Sequence, residues 1–387
     1  MSWPKVKLGD VAPAIPVKNV NLDEDELVWQ LNLDQIESNT GKIVDKVKQP
    51  LSSAGSSTHF FNNEHVLYSK LRPYLNKVVV PDELGIATTE LVPMKPDQKR
   101  LNKEYLAYYL RSKPFVEWVS TQVSGAKMPR VVMSIFWQHE MPLPPLYEQE
   151  RIVSVLDKSN RLRQKREQAI KLADDFLRAT FLEMFGDPIE NPKGWNVKPL
   201  ADQIVHANNG ISRRRKEDTN EGDIVLRLQD VHYSGIAFDK ELNRIKLVDK
   251  EKQIARVEHD DLLFIRVNGN PNYVGRTAVF KSYIEPVYHN DHLIRIKLDN
   301  EYQSDFLCYL INSPFSRKLI AQQIKTSAGQ HTISQDGILK LMFYRPPIEL
   351  QEKFINIKNK IESISYRKDK HEDLFASISN KLIHSIK

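Results

Sequence analysis

The chain has 387 residues, of which 41% are hydrophobic and 27% are charged, and its formal net charge is +6. The hydrophobic content excludes a disordered protein, and the length exceeds what a single core usually organises, so we expect two domains joined by connecting elements. The moderate positive charge favours a polyanionic partner such as nucleic acid, although many basic proteins have none.

Residues 1–144 alternate short apolar runs with turn-forming residues. The runs LVWQLNL, HVLYSKL and KVVVP are separated by Asn, Gly, Ser and Pro, which is typical of β-strands. The later segment YLAYYLRSKPFVEWVSTQ has leucines and aromatic residues at helical spacing, interrupted at Pro114. This part of the chain is therefore predicted to be a mixed α+β domain.

Residues 145–186 form a long segment with no proline or glycine between Pro145 and Gly186. Apolar residues recur in it at spacings of three and four, which is the pattern of a heptad seam on a helix. A helix of about 38 residues would reach roughly 55–60 Å. The predicted seam residues are Ile152, Val155, Leu162 and Phe176.

The rest of the chain repeats this plan. LAYYLRSKPF at 106–115 returns as FLCYLINSPF at 306–315, and PPLYEQERI at 144–152 returns as PPIELQEKF at 346–354. Residues 187–346 are therefore predicted to be a second α+β domain, with strands in DIVLRLQDV, DLLFIRV, GRTAVF and HLIRIKL.

Residues 347–387 are predicted to be a second long helix. Two helices of about equal length, each with a broad apolar stripe, are expected to pack on one another. The alternative is that each stripe covers the neighbouring domain. The predicted seam residues of the second helix are Phe354, Ile357, Ile361, Ile364, Phe375, Ile378 and Leu382.

Three phrases and the order domain–helix–domain–helix resemble a known family. PLPPLYEQERI leads into the first long helix, with PPIELQEKF as its degenerate copy. SKLRPYLNKVVVP at 69–81 is followed by GIATTELVPMKP at 85–96. In these features, which span essentially the whole chain, the protein resembles the specificity subunit of type I restriction–modification systems.

The resemblance implies two similar target-recognition domains, each reading one half of a split sequence in double-stranded DNA, and two long helices that form an antiparallel coiled coil. It also implies that the coiled coil docks two modification subunits, which bind S-adenosylmethionine and methylate adenine, and that restriction subunits join them. No cofactor is then expected on this chain. The second domain departs from the pattern, because FIRVNGNPNYVGRTAVF stands where the first has its Leu-Arg-Pro-x-Leu-Asn-Lys phrase.

Cations suit phosphates, and forked or amide side chains suit base edges. The first domain offers Lys70, Arg72, Tyr74, Asn76 and Lys77 in one phrase and Lys127 and Arg130 in the loop SGAKMPRV. The second offers the run Arg213, Arg214, Arg215 and Lys216, the loop residues Arg266, Asn268, Asn270, Asn272, Tyr273 and Arg276, and Lys325, Gln330 and His331 in TSAGQHTI. Plain turns and solvated loops are the alternative interpretation of each group.

The catalytic signatures of the implied complex are missing from this sequence. No G-x-G-x-x-G follows a strand, no Asn-Pro-Pro-aromatic phrase occurs, and no Walker-type phosphate loop is found. His289 and His292 lack the further ligands of a metal site, and Cys308 is expected to be a buried small side chain. We therefore expect a non-catalytic, cytoplasmic chain, with a diverged methyltransferase or nuclease, or a coiled-coil adaptor, as the alternatives.

Overall fold

The computed structural model describes residues 3–212, 221–233, 235–238 and 241–365. These residues fall into two compact units, of which the first runs to Gln168 and the second begins at Ala169. The division lies inside one long helix, which therefore contributes its first part to the first unit and its second part to the second. No helix in the described ranges has both the length and the apolarity needed to cross a bilayer.

The first unit combines short strands with helices in the order that the sequence predicts. Its strands are β1 Lys5–Lys7, β2 Leu27–Leu31, β3 Lys48–Pro50, β4 Thr58–Phe61, β5 Val66–Ser69, β6 Val78–Val79, β7 Gly85–Thr88, β8 Leu91–Met94, β9 Val123–Ser124, β10 Arg130–Val131 and β11 Glu140–Pro142. Its helices are α1 Leu8–Val11, α2 Lys103–Arg111, α3 Lys113–Thr121, α4 Met133–Gln138 and the first part of α5 Leu146–Phe185.

Two small sheets organise the first unit. One has the order β3-β2-β7-β4, in which β2 and β7 are parallel with Trp29 opposite Gly85, and the other has the order β6-β5-β8 and is antiparallel. Trp29 and Phe61 are fully buried and meet edge to face at 5.1 Å between ring centroids. The apolar face of α2 completes the core, and the Asn102 side chain caps this helix by accepting from the Tyr105 amide at 2.8 Å.

The second unit also combines short strands with helices. Its strands are β12 Val197–Pro199, β13 Ile204–Asn209, β14 Asp223–Leu226, β15 Val231–His232, β16 Gly235–Ile236, β17 Arg244–Ile245, β18 Leu262–Ile265, β19 Val267–Asn268, β20 Thr277–Val279, β21 Val287–His289, β22 Leu293–Leu298, β23 Ile324–Ser327, β24 Gln330–Ile333 and β25 Met342–Tyr344. Its helices are the second part of α5, α6 Asp249–Ala255, α7 Ser304–Asn312, α8 Pro314–Gln323, α9 Gln335–Leu339 and α10 Ile348–Ser365.

The sheets of the second unit repeat those of the first. In the order β17-β14-β21, β14 is antiparallel to β17 and parallel to β21, as β2 is to β3 and β7. The other sheet has the order β13-β22-β18-β20, in which the β20-β18-β22 part corresponds to β6-β5-β8. The predicted fold class, two similar α+β domains with long helices, is confirmed.

In the helical region, the structure aligns the two copies of the repeat with a shift of one residue from the alignment that the sequence predicts. Matching LAYYLRSKPF to FLCYLINSPF places Leu106 on Phe306. The side chain of Gln303 caps α7 by accepting from the Phe306 amide, as Asn102 caps α2 by accepting from that of Tyr105. The caps therefore align Tyr105 with Phe306. The direct sequence match is wrong here because the first copy has one more residue between the helix-ending serine and the following proline.

A glutamine fixes the start of each long helix. The Gln149 side chain is fully buried and accepts from the Asn102 amide at 2.8 Å, while its nitrogen donates to the carbonyls of Arg100 and Pro144. Gln351 makes the same three bonds, accepting from the Gln303 amide at 2.9 Å and donating to the carbonyls of Glu301 and Pro346. Each glutamine ties the start of a long helix to the N-terminal cap of an earlier helix of the same unit, α2 or α7.

The predicted seam residues of α5 lie in two different environments. Ile152 is buried in the first unit's core, so at this position the stripe covers the neighbouring domain, as the alternative interpretation held. The other predicted seam residues of α5, Val155, Leu162 and Phe176, are 38%, 53% and 57% exposed.

Within the second unit, α5 and α10 pack as antiparallel helices. Near the end of α5, Phe181 meets Phe354 near the start of α10 at 5.4 Å between ring centroids. About one turn earlier in α5, Arg178 borders the same cavity as Lys358 and Glu362, which come later in α10. Phe354 is buried, and the predicted seam residues Ile357 and Ile361 are half-buried. The Ile364 side chain and residues Phe375, Ile378 and Leu382 lie outside the described residues.

Candidate nucleic-acid interface

In the first unit, five of the predicted DNA-binding residues come from two neighbouring segments. Leu71 forms a β-bridge with Arg130, the Arg72 amide donates to the Pro129 carbonyl at 2.8 Å, and the Val131 amide donates to the Lys70 carbonyl at 2.9 Å. These backbone contacts hold the β9–β10 hairpin beside the segment after β5. The surface that results, called the cationic surface below, consists of Lys70, Arg72, Tyr74, Lys127 and Arg130.

The turn between β5 and β6 projects Tyr74, which is 53% exposed. Left-handed residues flank it, because Arg72 has a φ of 49° and Asn76 a φ of 51°. Asparagine adopts this conformation more readily than most residues, whereas an arginine there is unusual and must be held by its surroundings. The Arg72 side chain is exposed and makes no hydrogen bond or ion pair within the described ranges.

Asn76 and Lys77 differ from the sequence prediction in their surroundings. The Asn76 side chain is 8% exposed and donates to the Arg111 carbonyl at 3.1 Å and to the Asn39 side chain at 3.3 Å. The Lys77 ammonium donates to the Leu33 carbonyl at 2.5 Å. These bonds favour a role for both side chains in fixing the turn, in place of the predicted base or phosphate contacts.

Glu90 is a member of this site that no motif in the sequence indicates. Its carboxylate binds the Arg130 Nε, with distances of 3.0 Å to Oε1 and 3.2 Å to Oε2, and its carbonyl accepts from the Lys70 amide at 3.0 Å. Glu90 is far along the chain from Arg130, so only the folded arrangement reveals the contact. It orients one cation of an otherwise basic surface.

In the second unit the predicted amide-rich loop also lies beside a hairpin. β19 pairs with β24, placing Asn268 opposite His331, and the Ile333 amide donates to the Arg266 carbonyl at 2.9 Å. The β23–β24 turn exposes Gln330. The surface that results, called the amide-rich surface below, consists of Asn268, Asn270, Asn272, Tyr273, Arg276, Gln330 and His331.

The glycines of the two hairpins have a conformational explanation. Gly125 between β9 and β10 has a φ of 90°, and Gly329 between β23 and β24 has a φ of 77°. Both angles lie in the left-handed region that glycine adopts without strain. Each glycine is therefore explained by the conformation of its own turn, although the strand registers align Gly125 with Thr326 and not with Gly329.

Side-chain hydrogen bonds within the amide-rich loop fix its backbone. Asn268 accepts from the Asn270 amide at 2.9 Å, and Asn270 accepts from the Asn272 amide at 3.0 Å, so two Asx-type turns follow one another. The Arg276 Nε donates to the Asn272 carbonyl at 3.0 Å, and the guanidinium lies 3.9 Å from the centre of the Tyr273 ring. The loop is thus a preformed structure that presents amides and one planar cation.

Arg317 on α8 binds two backbone carbonyls of this loop, and it is not among the predicted site residues. Its guanidinium donates to the Val274 carbonyl from both terminal nitrogens at 3.0 Å, and to the Pro271 carbonyl at 3.2 Å. Burial, followed by the nearby charge of Arg276, lowers its pKa from the usual value. In the sequence, Arg317 is visible only as one cation on a helix, and this does not indicate that it binds carbonyls of a distant loop.

Three more contacts or exposures concern Arg266, His331 and Lys325 among the described residues of the second unit. Arg266 donates to the Asp291 carbonyl at 3.0 Å, and His331 shares a 2.8 Å hydrogen bond with Thr326. Lys325 is exposed on β23. The predicted phosphate-binding residues Arg213, Arg214, Arg215 and Lys216 lie outside the described residues.

His289 is an internal residue of the second unit. It is fully buried, and its Nδ1 lies 2.8 Å from the Ala255 carbonyl oxygen. Burial lowers its pKa to about 4, so it is neutral at pH 7. Among the described residues, no group of three or more His, Cys, Asp or Glu side chains has an arrangement that would hold a metal ion.

Comparison with known proteins gives one consistent group. Residues 2–172 match the family model described as the type I restriction modification DNA specificity domain. The chain is 30% identical over 270 residues to the StySPI specificity subunit of Salmonella potsdam and 22% identical over 272 residues to the EcoKI specificity subunit of Escherichia coli strain K12. Each alignment covers 67% of this chain, and the chain spans 58% of the length of these two curated relatives.

Two solved structures share the fold. The S subunit of a type I restriction–modification system from M. genitalium is 16% identical, with a TM-score of 0.61, and the match covers 100% of this chain and 97% of that one. A chain from a structural study of type I R-M complex assembly is 17% identical, with a TM-score of 0.54 and coverage of 99% and 97%. Both similarities extend over the two units and the helices.

Proposed function

Because the chain belongs to the family of type I restriction–modification DNA specificity proteins, we propose that it is the specificity subunit of such a system and reads a bipartite DNA sequence. The observation that carries the proposal is the repeated placement of a hairpin beside a polar loop. In each unit a backbone hydrogen bond joins the two segments, from Val131 to Lys70 in the first and from Ile333 to Arg266 in the second. Each unit therefore has one preformed surface whose polar and charged side chains suit contact with DNA.

The two surfaces differ in their side chains. The cationic surface carries four positive side chains, which suit phosphates and guanine edges. On the amide-rich surface, the side-chain oxygens of Asn268 and Asn270 accept loop amides, whereas the side chains of Asn272 and Gln330 make no hydrogen bond with described residues and suit adenine edges. Two surfaces of unlike chemistry are expected to read unlike sequences. The target would therefore consist of two different half-sites, and its DNA affinity would fall with rising salt as phosphate contacts release counterions.

Catalysis in this proposal belongs to partner subunits. Two modification subunits would dock on the paired long helices, bind S-adenosylmethionine and methylate one adenine in each half-site. Reaching the adenine amine requires extrusion of the base from the stack, which the modification subunit would perform while this chain holds the flanking duplex. Restriction subunits would join the same complex, and the complex would act in the cytoplasm, where the chromosome lies.

The decisive experiment is single-molecule methylation mapping of a host that carries this chain with its modification subunit. The expected result is a split motif with a fixed spacer, methylated at adenine on both strands. Exchanging residues 1–144 for another recognition domain should change one half of that motif only. Methyl transfer by the purified chain alone would replace the proposal with a diverged methyltransferase. Absence of DNA affinity at low salt, even with the modification subunit present, would favour a coiled-coil adaptor.

A further inference from the structure

Each surface contains one arginine whose orientation is fixed through its Nε atom. Glu90 binds the Nε of Arg130, and the Asn272 carbonyl accepts from the Nε of Arg276, whose guanidinium also lies against Tyr273. Their terminal Nη1 and Nη2 atoms make no hydrogen bond within the described ranges. By contrast, the other three cationic side chains of the first surface, those of Lys70, Arg72 and Lys127, make no hydrogen bond or ion pair with described residues.

A guanidinium held at Nε still offers its terminal edge. The Nη1 and Nη2 atoms on that edge present two roughly parallel N–H groups, which match two acceptors in one plane. Guanine presents such a pair, O6 and N7, in the major groove, and the bidentate contact of arginine with them is the commonest specific contact in protein–DNA complexes. A fixed fork binds a matching pair of acceptors more tightly than a free one, because less rotational entropy is lost on contact.

The surroundings of Arg130 favour a base over a phosphate. The Glu90 carboxylate is 22% exposed beside the Arg130 guanidinium, so a phosphate placed on that arginine would also meet a negative charge. A neutral base edge meets no such repulsion. The free cations Lys70, Arg72 and Lys127 have no acidic partner in the described ranges and suit phosphates instead.

The two arginines occupy different positions of the repeated frame. The equivalent hydrogen bonds of Val131 and Ile333 align Arg130 with Thr332. Arg276 directly precedes β20, as Lys77 directly precedes β6, and the ammonium of Lys77 is bound to the Leu33 carbonyl. Each unit therefore has one oriented arginine whose terminal edge is unbonded among the described residues. The equivalent position in the other unit has no such arginine.

We propose that Arg130 and Arg276 each read a guanine in the major groove, one in each half-site, and that Glu90 is the positioning residue for Arg130. The proposal rests on the function proposed above and assigns its base-reading residues. Lys70, Arg72 and Lys127 contact phosphates. Because the readers occupy non-equivalent positions, the two guanines lie at different offsets within their half-sites.

The test uses the full chain with its modification subunit and a library of DNA in which every target position is randomised. Methylation is read by sequencing single molecules. For Arg130→Gln, the preference for one guanine in the first half-site should fall roughly 5- to 150-fold, the range of a lost bidentate contact, with the second half-site unchanged. Arg276→Gln should relax one guanine in the second half-site only.

Three further variants separate the roles. Arg130→Lys keeps the charge but removes the fork, so it should relax the same position even though the protein folds normally. Glu90→Gln should weaken the preference at that position while Arg130 is still present. Arg72→Gln should lower affinity for all sequences alike and reduce the slope of log affinity against log salt by about 1.

Matched controls are arginines paired with glutamates outside the two surfaces. The Arg151 Nε binds Glu148 at 2.9 Å, and Arg244 binds Glu285 through two bonds. Arg151→Gln and Arg244→Gln should leave every base preference unchanged.

Two outcomes would overturn the inference. Uniform loss of affinity in Arg130→Gln and Arg276→Gln, with a shallower salt slope, would make both residues phosphate contacts. Unchanged affinity and preference would place them away from DNA. Failure of the underlying function is distinct, because the unsubstituted complex would then methylate no split motif at all.

Discussion

The side-chain oxygen of Gln149 accepts a hydrogen bond from the Asn102 backbone amide at 2.8 Å. This bond joins the first turn of α5 to the cap of α2, two elements that are far apart along the chain. The same bond recurs between Gln351 and Gln303 at 2.9 Å. Both glutamines are fully buried, so their bonds cannot be replaced by water without opening the core.

Replacing Gln149 with leucine should destabilise the first unit by about 1–3 kcal/mol, because a buried backbone amide and two carbonyls lose their partner. Gln351→Leu should have the same effect on the second unit. Urea unfolding of the full chain measures the change, and Gln164→Leu, at an exposed position of the same helix, is the control. Equal stability of Gln149→Leu and the control would show that the bond contributes nothing.

Asn76 should be sensitive to both backbone and side-chain changes. Asn76→Gly keeps the left-handed conformation but loses the bonds to Arg111 and Asn39, whereas Asn76→Ala loses those bonds and adds about 1 kcal/mol of backbone strain. Thermal unfolding should therefore rank the native chain above Asn76→Gly and Asn76→Gly above Asn76→Ala. Reversal of the two variants would contradict the conformational argument.

Arg317 should affect only the second half of the target. Arg317→Leu removes the hydrogen bonds to the Pro271 and Val274 carbonyls and frees the amide-rich loop, so affinity for the second half-site should fall about tenfold with the first unaffected. Binding to DNA with each half-site scrambled in turn measures the two halves separately. Lys318→Leu, an exposed neighbour, is the matched control, and an equal effect from it would remove Arg317 from the loop's support.

His289 gives the second unit a pH dependence of defined sign. Its pKa is lowered to about 4 by burial, with Arg295 and His206 adding positive charge nearby, whereas in the unfolded chain it is close to 6.5. Between these values the unfolded state binds one more proton, so stability is complete above about pH 6.5 and decreases as the pH falls towards 4.

The loss from His289 amounts to at most about 3 kcal/mol. Chemical unfolding at a series of pH values measures it, and His289→Gln should show a shallower slope across this window. The raised pKa of Asp261, caused mainly by burial, acts in the opposite direction as its carboxylate takes up a proton. An unchanged slope in His289→Gln would show that another group titrates.

Local patterns in the sequence were sufficient to predict two domains, the order of strands and helices within them, and the long helix α5. Contacts between distant segments were not readable. Glu90 and Arg317 act on residues about 40 positions away, and nothing beside them in the sequence indicates this. Asn76 has the residue type of a base contact, but the direction of its side chain was decided by the left-handed turn.

The long helix shows a different limit. A spacing of three and four residues is satisfied equally by a partner helix and by a domain core, so the pattern predicts Ile152 in a helix seam although it lies in the core. The glutamine at the same place in both copies of the proline-rich phrase was a readable signal. The effect of this glutamine depends on the distant cap residues that it binds, which the phrase itself does not indicate.

The backbone hydrogen bonds from Val131 to Lys70 and from Ile333 to Arg266 hold each hairpin in place without using a side chain. The exposed side chains of the two hairpins are therefore free to vary, whereas Val131 and Ile333 are buried in the cores of their units. In the proposed function, such a framework would change its preferred sequence in single mutational steps, each affecting one letter of one half-site. Thr332→Arg, which places an arginine where the first unit has Arg130, is one such step for engineering a new target.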